Sequence, residues 1–242
     1  MAVIGTGPGA VEFLSIRARE ALADAEVIVG YITYIDLIRD FIGEREVIST
    51  GMTREIERCR KAVEVASAGR RVAVVSSGDP GVYGMAGLVL EIMEAQGLLG
   101  VIPVEIIPGI TSATASAAKL GAPLMHDFAV ISLSDLLTPW ETIAKRLEAA
   151  ARADFVIVLY NPASKKRTWQ IEKAQEIFLR HKPPTTPVGI VKNAAREEET
   201  VLITDLQSLL AHPVDMLSTV IVGNRSTRQA GDFMITPRGY QV

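Results

Sequence analysis

"VIGTGPGA", Val3 to Ala10, sets an apolar strand directly against three closely spaced glycines. A strand that empties into glycines is how a dinucleotide site begins, and two features test that reading here. The phosphate fingerprint is G-x-G-x-x-G, whose third glycine permits close packing of helix on strand while the first helical turn offers N–H groups to phosphate. Gly5, Gly7 and Gly9 instead give G-x-G-x-G, and Pro8 stands where an N–H donor would be wanted. The second feature is an acidic residue about 20 positions on, at the end of the second strand, to grip a ribose. That strand ends "VIVGY", with Gly30 and Tyr31, and Asp24 and Glu26 lie at its beginning. A nicotinamide or other dinucleotide protein is therefore disfavoured, as is a methyltransferase on a Rossmann-like sheet, which wants the same acid.

Outward from this loop, β-branched runs alternate with helical patterns, and the junctions carry Gly or Pro. Strands are expected at Val3 to Gly5, Glu26 to Val29, Glu46 to Ser49, in "RVAVVSS" and in "VEIIPG". Helices are expected at Ser15 to Ala25, Ile35 to Phe41, Thr53 to Ala68 with Gly69 as its cap, Met85 to Gln96, and over "TSATASAAKLG". This βα repetition predicts a largely parallel sheet covered on both faces. The second half runs "FAVISL", a helix, "DFVIVLY", a helix, then "TPVGIVKN" and "ETVLIT", a helix over "DLQSLLA", "LSTVIVGN" and "DFMITPRGY". Consecutive strands without a helix between them predict a mixed sheet. "GAPLMHD" interrupts the pattern, so the expected division is two α/β domains, residues 1–122 and 123–242, with a ligand cleft between them.

Two further loops match the first in kind. "SSGDPGVYG", Ser76 to Gly84, and "IIPGITSA" also follow strands directly, and parallel strands gather such loops at their carboxyl ends, where α/β proteins bind ligands. Alone, G-D-P-G is a turn; three such loops on one sheet edge are a site.

Bulk properties narrow the ligand. The 242 residues are 48% hydrophobic with a formal charge of −3, which supports a substantial core and argues against a nucleic-acid-coating surface. The single cysteine, Cys59, falls on the apolar side of "REIERCRKAVEVA" and reads as a buried structural thiol. The three histidines, His126, His181 and His212, lie far apart in sequence and outside any metal-ligand spacing, so no metal is expected. No apolar run approaches about 18 residues, and the expectation is a soluble cytoplasmic protein without membrane partners.

The stretches "GTGPGAVEFLSIRAREAL", "SSGDPGVYGMAG", "PGITSATASAAKLGAPL", "TPVGIVKNAAREEE" and "STVIVGN" together resemble the tetrapyrrole (corrin/porphyrin) methylases, over nearly the whole chain. Within that family, "SLSDLLTPWE" and the Y-N-P-x-S-x-x-R element resemble the branch that methylates C17 of the corrin precursor precorrin-3B, or its cobalt equivalent, with ring contraction. Sister branches act at C11, C20 or C2 and C7. The resemblance implies two α/β domains, S-adenosyl-L-methionine as donor with S-adenosyl-L-homocysteine as product, a tetrapyrrole substrate, a homodimer and a role in cobalamin biosynthesis.

Carried over by motif, the resemblance places Pro8, Ser77, Gly78, Asp79, Val82, Thr111 and Ser112 against the donor, with Asn161, Ala194, Thr219 and Val220 from the second domain. For Val82, Ala194 and Val220 core packing is the competing reading. Ring contraction calls for proton transfer, for which Tyr31, His126 and Asp127 are candidates, with Ser132, Ser134 and Asp135 as a second group; His126 also reads as a satisfied interdomain histidine and Asp127 as a cap. Acetate and propionate groups on the substrate call for cations. Lys165, Lys166 and Arg167, and Arg225 and Arg228, follow strands and are the candidates, a solvated face being the alternative.

Overall fold

The computed structural model describes residues 1–241, and the chain divides into two compact units, Met1–Ser112 and Ala113–Val242. The first unit contains the strands β1 (Ala2–Gly5), β2 (Val27–Tyr31), β3 (Glu46–Thr50), β4 (Val72–Ser76) and β5 (Glu105–Ile107). They form one sheet in the order β3-β2-β4-β1-β5, and every pairing is parallel. Its helices are α1 (Ile16–Asp24), α2 (Ile32–Asp36), α3 (Arg39–Ile42), α4 (Glu55–Ser67) and α5 (Ala86–Ala95).

Alternation along the strands explains why both faces need a cover. Val3, Val27, Val29, Val72 and Val74 pack with Cys59, Ala62 and Val63 of α4 and Val89 and Met93 of α5. Their neighbours Ile4, Ile28, Ala73, Val75 and Ile107 pack on the other face with Leu22 of α1, Ile35 of α2 and Ile42 of α3. The Ser15 side chain caps α1 by accepting from the Ala18 N–H at 3.1 Å, satisfying a donor the helix leaves unpaired.

The helix expected over Ile35 to Phe41 is two short ones, broken at Leu37 and Ile38. Ile32, Thr33 and Ile35 are β-branched and lose side-chain freedom in a helix, so packing sets the backbone. Ile35, Ile38 and Ile42 all remain buried across the break.

The second unit carries the helices α6 (Ser112–Leu120), α7 (Trp140–Arg152) and α8 (Trp169–Leu179), the first beginning at the last residue of unit one. Its strands are β6 (Gly121–Ala122), β7 (Phe128–Ser132), β8 (Val156–Tyr160), β9 (Pro187–Lys192), β10 (Thr200–Asp205), β11 (Ser218–Val222), β12 (Arg228–Ala230) and β13 (Phe233–Ile235). The main sheet runs β10-β9-β11-β8-β7; β7 and β8 are parallel and the other pairings antiparallel, so it is mixed, as expected. A smaller sheet, β12-β13-β6, is mixed too. Helices α7 and α8 cover one face through Leu147 and Phe178. Helix α6 covers the other, where Ala113, Ala117 and Leu120 meet Val156, Val158, Val191 and Ile221.

That packing places α6 with the second unit. Leu120 seats directly on Gly189, where an added Cβ would fall 2.3 Å from Leu120 Cδ1. The helix expected over "DLQSLLA" is a turn and a short 3₁₀ segment, Leu209–Ala211. The Asp205 carboxylate accepts from the Ser208 N–H at 2.9 Å, closing a local turn, and Pro213 pushes His212 out of the helical region.

Candidate functional site

Strands β4, β1 and β5 are parallel neighbours, so the loops at residues 6–10, 77–85 and 108–111 leave the same edge of the first sheet. The loops hold one another. Gly7 N–H donates to Gly78 O at 3.1 Å and Gly78 N–H to Gly7 O at 2.7 Å, while Thr6 N–H reaches Ser76 O at 2.9 Å. A dinucleotide site would need the N–H groups of Gly7 and Gly78 for phosphate, and both are already used.

The third loop presses against these two. A Cβ on Gly109 would lie 2.1 Å from Gly78 O and 2.8 Å from Gly5 C, and one on Gly5 would lie 2.6 Å from both Gly78 O and Gly109 N. Gly5, Gly78 and Gly109 thus permit three backbones to touch. Asp79 ties the arrangement, its Oδ1 accepting from Gly81 N–H at 2.8 Å and its Oδ2 from Gly109 N–H at 3.1 Å. Sequence reasoning left Asp79 between a bond to its own backbone, which Gly81 supplies, and a ligand, and missed the brace to Gly109 and the close contacts of Gly5 and Gly109.

Pro8 and Gly78 are buried in this cluster, and Ser77, Asp79, Val82, Thr111 and Ser112 are half-buried. Gly78 lies against Thr111 Cα, and Val82 closes the turn by donating to Asp79 O at 3.3 Å. Tyr31 ends β2, the neighbour of β4, on the same carboxyl edge. Its ring meets Tyr34 edge-on at 5.1 Å, and the Arg58 guanidinium stands 6.0 Å from its centroid. Arg58 is 3% exposed and donates to Thr50 Oγ1 at 2.6 Å.

In the second unit the predicted residues separate into two groups. At one end of the main sheet, the finishes of β7, β8 and β9 and the start of β11 bring together Ser132, Asn161, Ala194 and Thr219. Asn161 holds a left-handed backbone, φ 51°, and its amide donates to Ser132 Oγ at 3.0 Å. Asn193 and Ala195, either side of Ala194, are also left-handed, at φ 53° and 57°. Non-glycine residues held this way cost about 1 kcal/mol or more each, and three of them stand close in sequence to the ends of β8 and β9. Tyr160 accepts at its hydroxyl from Ala113 N–H at 2.7 Å, fixing the first turn of α6 over the end of β8.

Val220 takes the core-packing position of its two readings. It lies mid-strand, paired to Leu159 and Ile190 on either side, with its side chain in the apolar core. Ala194 and Thr219 are largely buried as well, which leaves Asn161 as the member of the set most open to a ligand.

Arg167 is at this end but is half consumed. Its Nη1 donates to Asn161 O at 2.6 Å and Leu133 O at 3.1 Å, and burial pulls its pKa below the ordinary arginine value. Lys165 and Lys166 are exposed beside it.

His126 and Asp127 precede β7 and so sit at its amino end, about 17 Å from Ser132 for five strand residues. The structure does not bring them to the Asn161 edge. They line a cavity of about 400 Å³ with Asp154, Phe155, Asn224, Ser226 and Arg238. There Asp154 accepts from Arg225 N–H at 3.2 Å and pairs with the buried Lys182 at 3.4 Å, whose pKa burial lowers. Arg225 belongs to this far end, and Arg228 is exposed on β12 in the small sheet. Among the described residues no group of three or more His, Cys, Asp or Glu is placed to hold a metal ion, and no helix is long and apolar enough to cross a membrane.

The family model of the Tetrapyrrole (Corrin/Porphyrin) Methylases matches residues 1–210. The chain is 54% identical over 242 residues to the cobalt-factor III methyltransferase of Priestia megaterium, covering 99% of this chain and 45% of that protein. It is 52% identical to the probable cobalt-factor III C(17)-methyltransferase of Salmonella typhimurium, covering 100% of both. Among solved structures, the methyltransferase CobJ superposes with a TM-score of 0.91 at 39% identity, over 98% of each chain.

Proposed function

The chain belongs to the tetrapyrrole (corrin/porphyrin) methylase family, and from that premise we propose that it transfers the methyl group of S-adenosyl-L-methionine to C17 of cobalt-factor III in cobalamin biosynthesis, with contraction of the ring. The observation that carries this reading is identity of about half across the full length of a relative named for that activity, together with the interlocked glycine loops. Two relatives above 50% identity are named for the cobalt-containing substrate, which favours it over metal-free precorrin-3B.

The donor supplies an electrophilic methyl on a sulfonium. As the bond from the ring carbon to the methyl carbon forms, the carbon–sulfur bond breaks, and sulfur keeps the electron pair as a neutral thioether. Such an in-line displacement needs no strong base at carbon; it needs the reacting atoms held about 3–3.5 Å apart and aligned. Holding is what the first-unit loops are built for. Ser77 adjoins Gly78 and the backbone of Thr111 and Ser112 lies against it, Pro8 stiffens the adjoining turn, and Asp79 keeps the second and third loops in register. Asn161 is the donor-side candidate from the second unit, and Tyr31 is the proton-transfer candidate on the glycine-loop edge. A homodimeric, cytoplasmic enzyme goes with this reading, and sedimentation velocity tests the dimer.

The deciding experiment incubates the protein with ¹³C-methyl donor and cobalt-factor III, or precorrin-3B, and locates the new methyl group by NMR. Label at C17 is expected. Label solely at C11, C20, C2 or C7 would assign the chain to a sister reaction. Calorimetric titration with S-adenosyl-L-homocysteine and with NAD separates a methylase from a dinucleotide protein, since only the first ligand is expected to bind.

A further inference from the structure

Between β7 and α7 the chain rises in a loop whose root is fixed and whose tip is bare. At the root, Leu133 is fully buried and its N–H donates to Tyr160 O at 2.9 Å. Ser134 N–H donates to Ser132 Oγ at 3.2 Å, and the buried Gln170 amide donates to Asp135 Oδ2 at 2.9 Å. Behind the loop Trp140 and Trp169 pack edge to face at 4.9 Å. Yet Leu136 and Leu137 at the tip are 75% and 94% exposed. Displaying two leucines on an anchored loop forgoes the burial that normally stabilises them.

A second loop is tied to the same root. Ser164 and Arg167 bridge to each other, Arg167 donates to Leu133 O, and Gln170 follows at the start of α8. Lys165 and Lys166 are its exposed tip. An apolar pair and a cationic pair are therefore mounted side by side at the Asn161 edge. The ligand that this combination fits is flat and apolar at its centre and ringed with carboxylates.

We propose that Leu136 and Leu137 cover a face of the tetrapyrrole macrocycle while Lys165 and Lys166 bind its peripheral carboxylates, so that these two loops set recognition of the methyl acceptor. The inference rests on the proposed function for the identity of that acceptor. It concerns acceptor binding alone, so donor binding is untouched.

The test titrates cobalt-factor III into wild type, Leu136→Ser/Leu137→Ser and Lys165→Ala/Lys166→Ala, following absorbance and the emission of the two tryptophans. Ile16→Ser, at a site 78% exposed in the first unit, is the control for loss of an exposed apolar side chain. The leucine variant should bind the macrocycle roughly tenfold or more weakly, and the lysine variant should lose part of the salt dependence of binding. Both should retain wild-type affinity for S-adenosyl-L-homocysteine, and the control should match wild type. Macrocycle binding by the leucine variant within twofold of wild type overturns the proposal, and so does a change in its sedimentation, which would make the loop a subunit contact. If wild type binds the macrocycle but methylates another carbon, the function falls and this inference stands. If wild type binds no tetrapyrrole, both fall.

Discussion

Replacing Gly109 with alanine probes the contact on which the donor loops depend. The new methyl group would sit 2.1 Å from Gly78 O and 2.8 Å from Gly5 C, and neither is the end of a flexible side chain that could swing aside. Overpacking a tight site costs about 1–3 kcal/mol, and here the obstacle is backbone held by the Gly7 and Gly78 hydrogen bonds. If the third loop moves to relieve the clash, it carries Thr111 away from Gly78 and stretches the bond from Gly109 N–H to Asp79. Expressed as lost affinity, that cost is roughly 5- to 150-fold. Isothermal titration with S-adenosyl-L-homocysteine reads the affinity, and thermal unfolding reads whatever part the fold bears instead. Gly78→Ala makes a graded comparison, because a Cβ there meets nothing nearer than 3.6 Å and only the left-handed φ of 65° is penalised, at about 1–2 kcal/mol. Gly87→Ala is the control: it lies in α5 with nothing within 4 Å and should gain about 0.5–1 kcal/mol of stability. A Gly109→Ala protein that binds within twofold of wild type and melts at the same temperature would refute the interlocked-backbone account.

Asp79→Ala leaves Gly81 and Gly109 N–H without their charged acceptor, a loss of about 1.5–3 kcal/mol per such bond, so calorimetry should show at least tenfold weaker donor-product binding; an unchanged Kd sinks the bracing role. His126→Ala should leave steady-state methyl transfer within about twofold of wild type, because His126 sits at the opposite sheet end from Asn161; a large fall in kcat would restore it to the mechanism. Burial pushes the Cys59 thiol up to about 11 from an ordinary 9.0. Between those pH values the unfolded chain has lost a proton that the folded chain keeps, so stability should fall as pH rises through this window. Urea titrations of wild type and Cys59→Ala across pH 8–11 check this, and the same extra fall with pH in both proteins would exclude the thiol as its source.

How much of this was legible in the sequence depended on whether a residue's role was local. The three glycine loops could be read because Gly and Pro after an apolar run mark a strand end whatever the surroundings, and βα repetition then places those ends on one edge. The bracing by Asp79 could not be read, because its partner Gly109 lies 30 residues away. Arg167 was ambiguous for a related reason: a cation beside a strand end serves a ligand or its own loop carbonyls equally well, and only the positions of Leu133 O and Asn161 O decide. Val220 carried two readings because a β-branched residue in "STVIV" looks the same in mid-strand as at its mouth, and only the register places it mid-strand.

The position of His126 is a different case, since the information was present. "FAVISL", a helix and "DFVIVLY" form a βαβ unit, and its strands must be parallel. A residue before the first strand is then at the amino edge, while Ser132 and Asn161 after the two strands share the carboxyl edge. The rule that gathered the first unit's loops holds for this pair as well. The remaining pairings of the main sheet are antiparallel, and because β9 and β11 run in opposite directions the Asn161 edge receives Ala194 from the end of one and Thr219 from the start of the other. Assigning those two needs the strand order as well as the strands, and β11 reaches its place between β8 and β9 by a crossover that strand patterning leaves open.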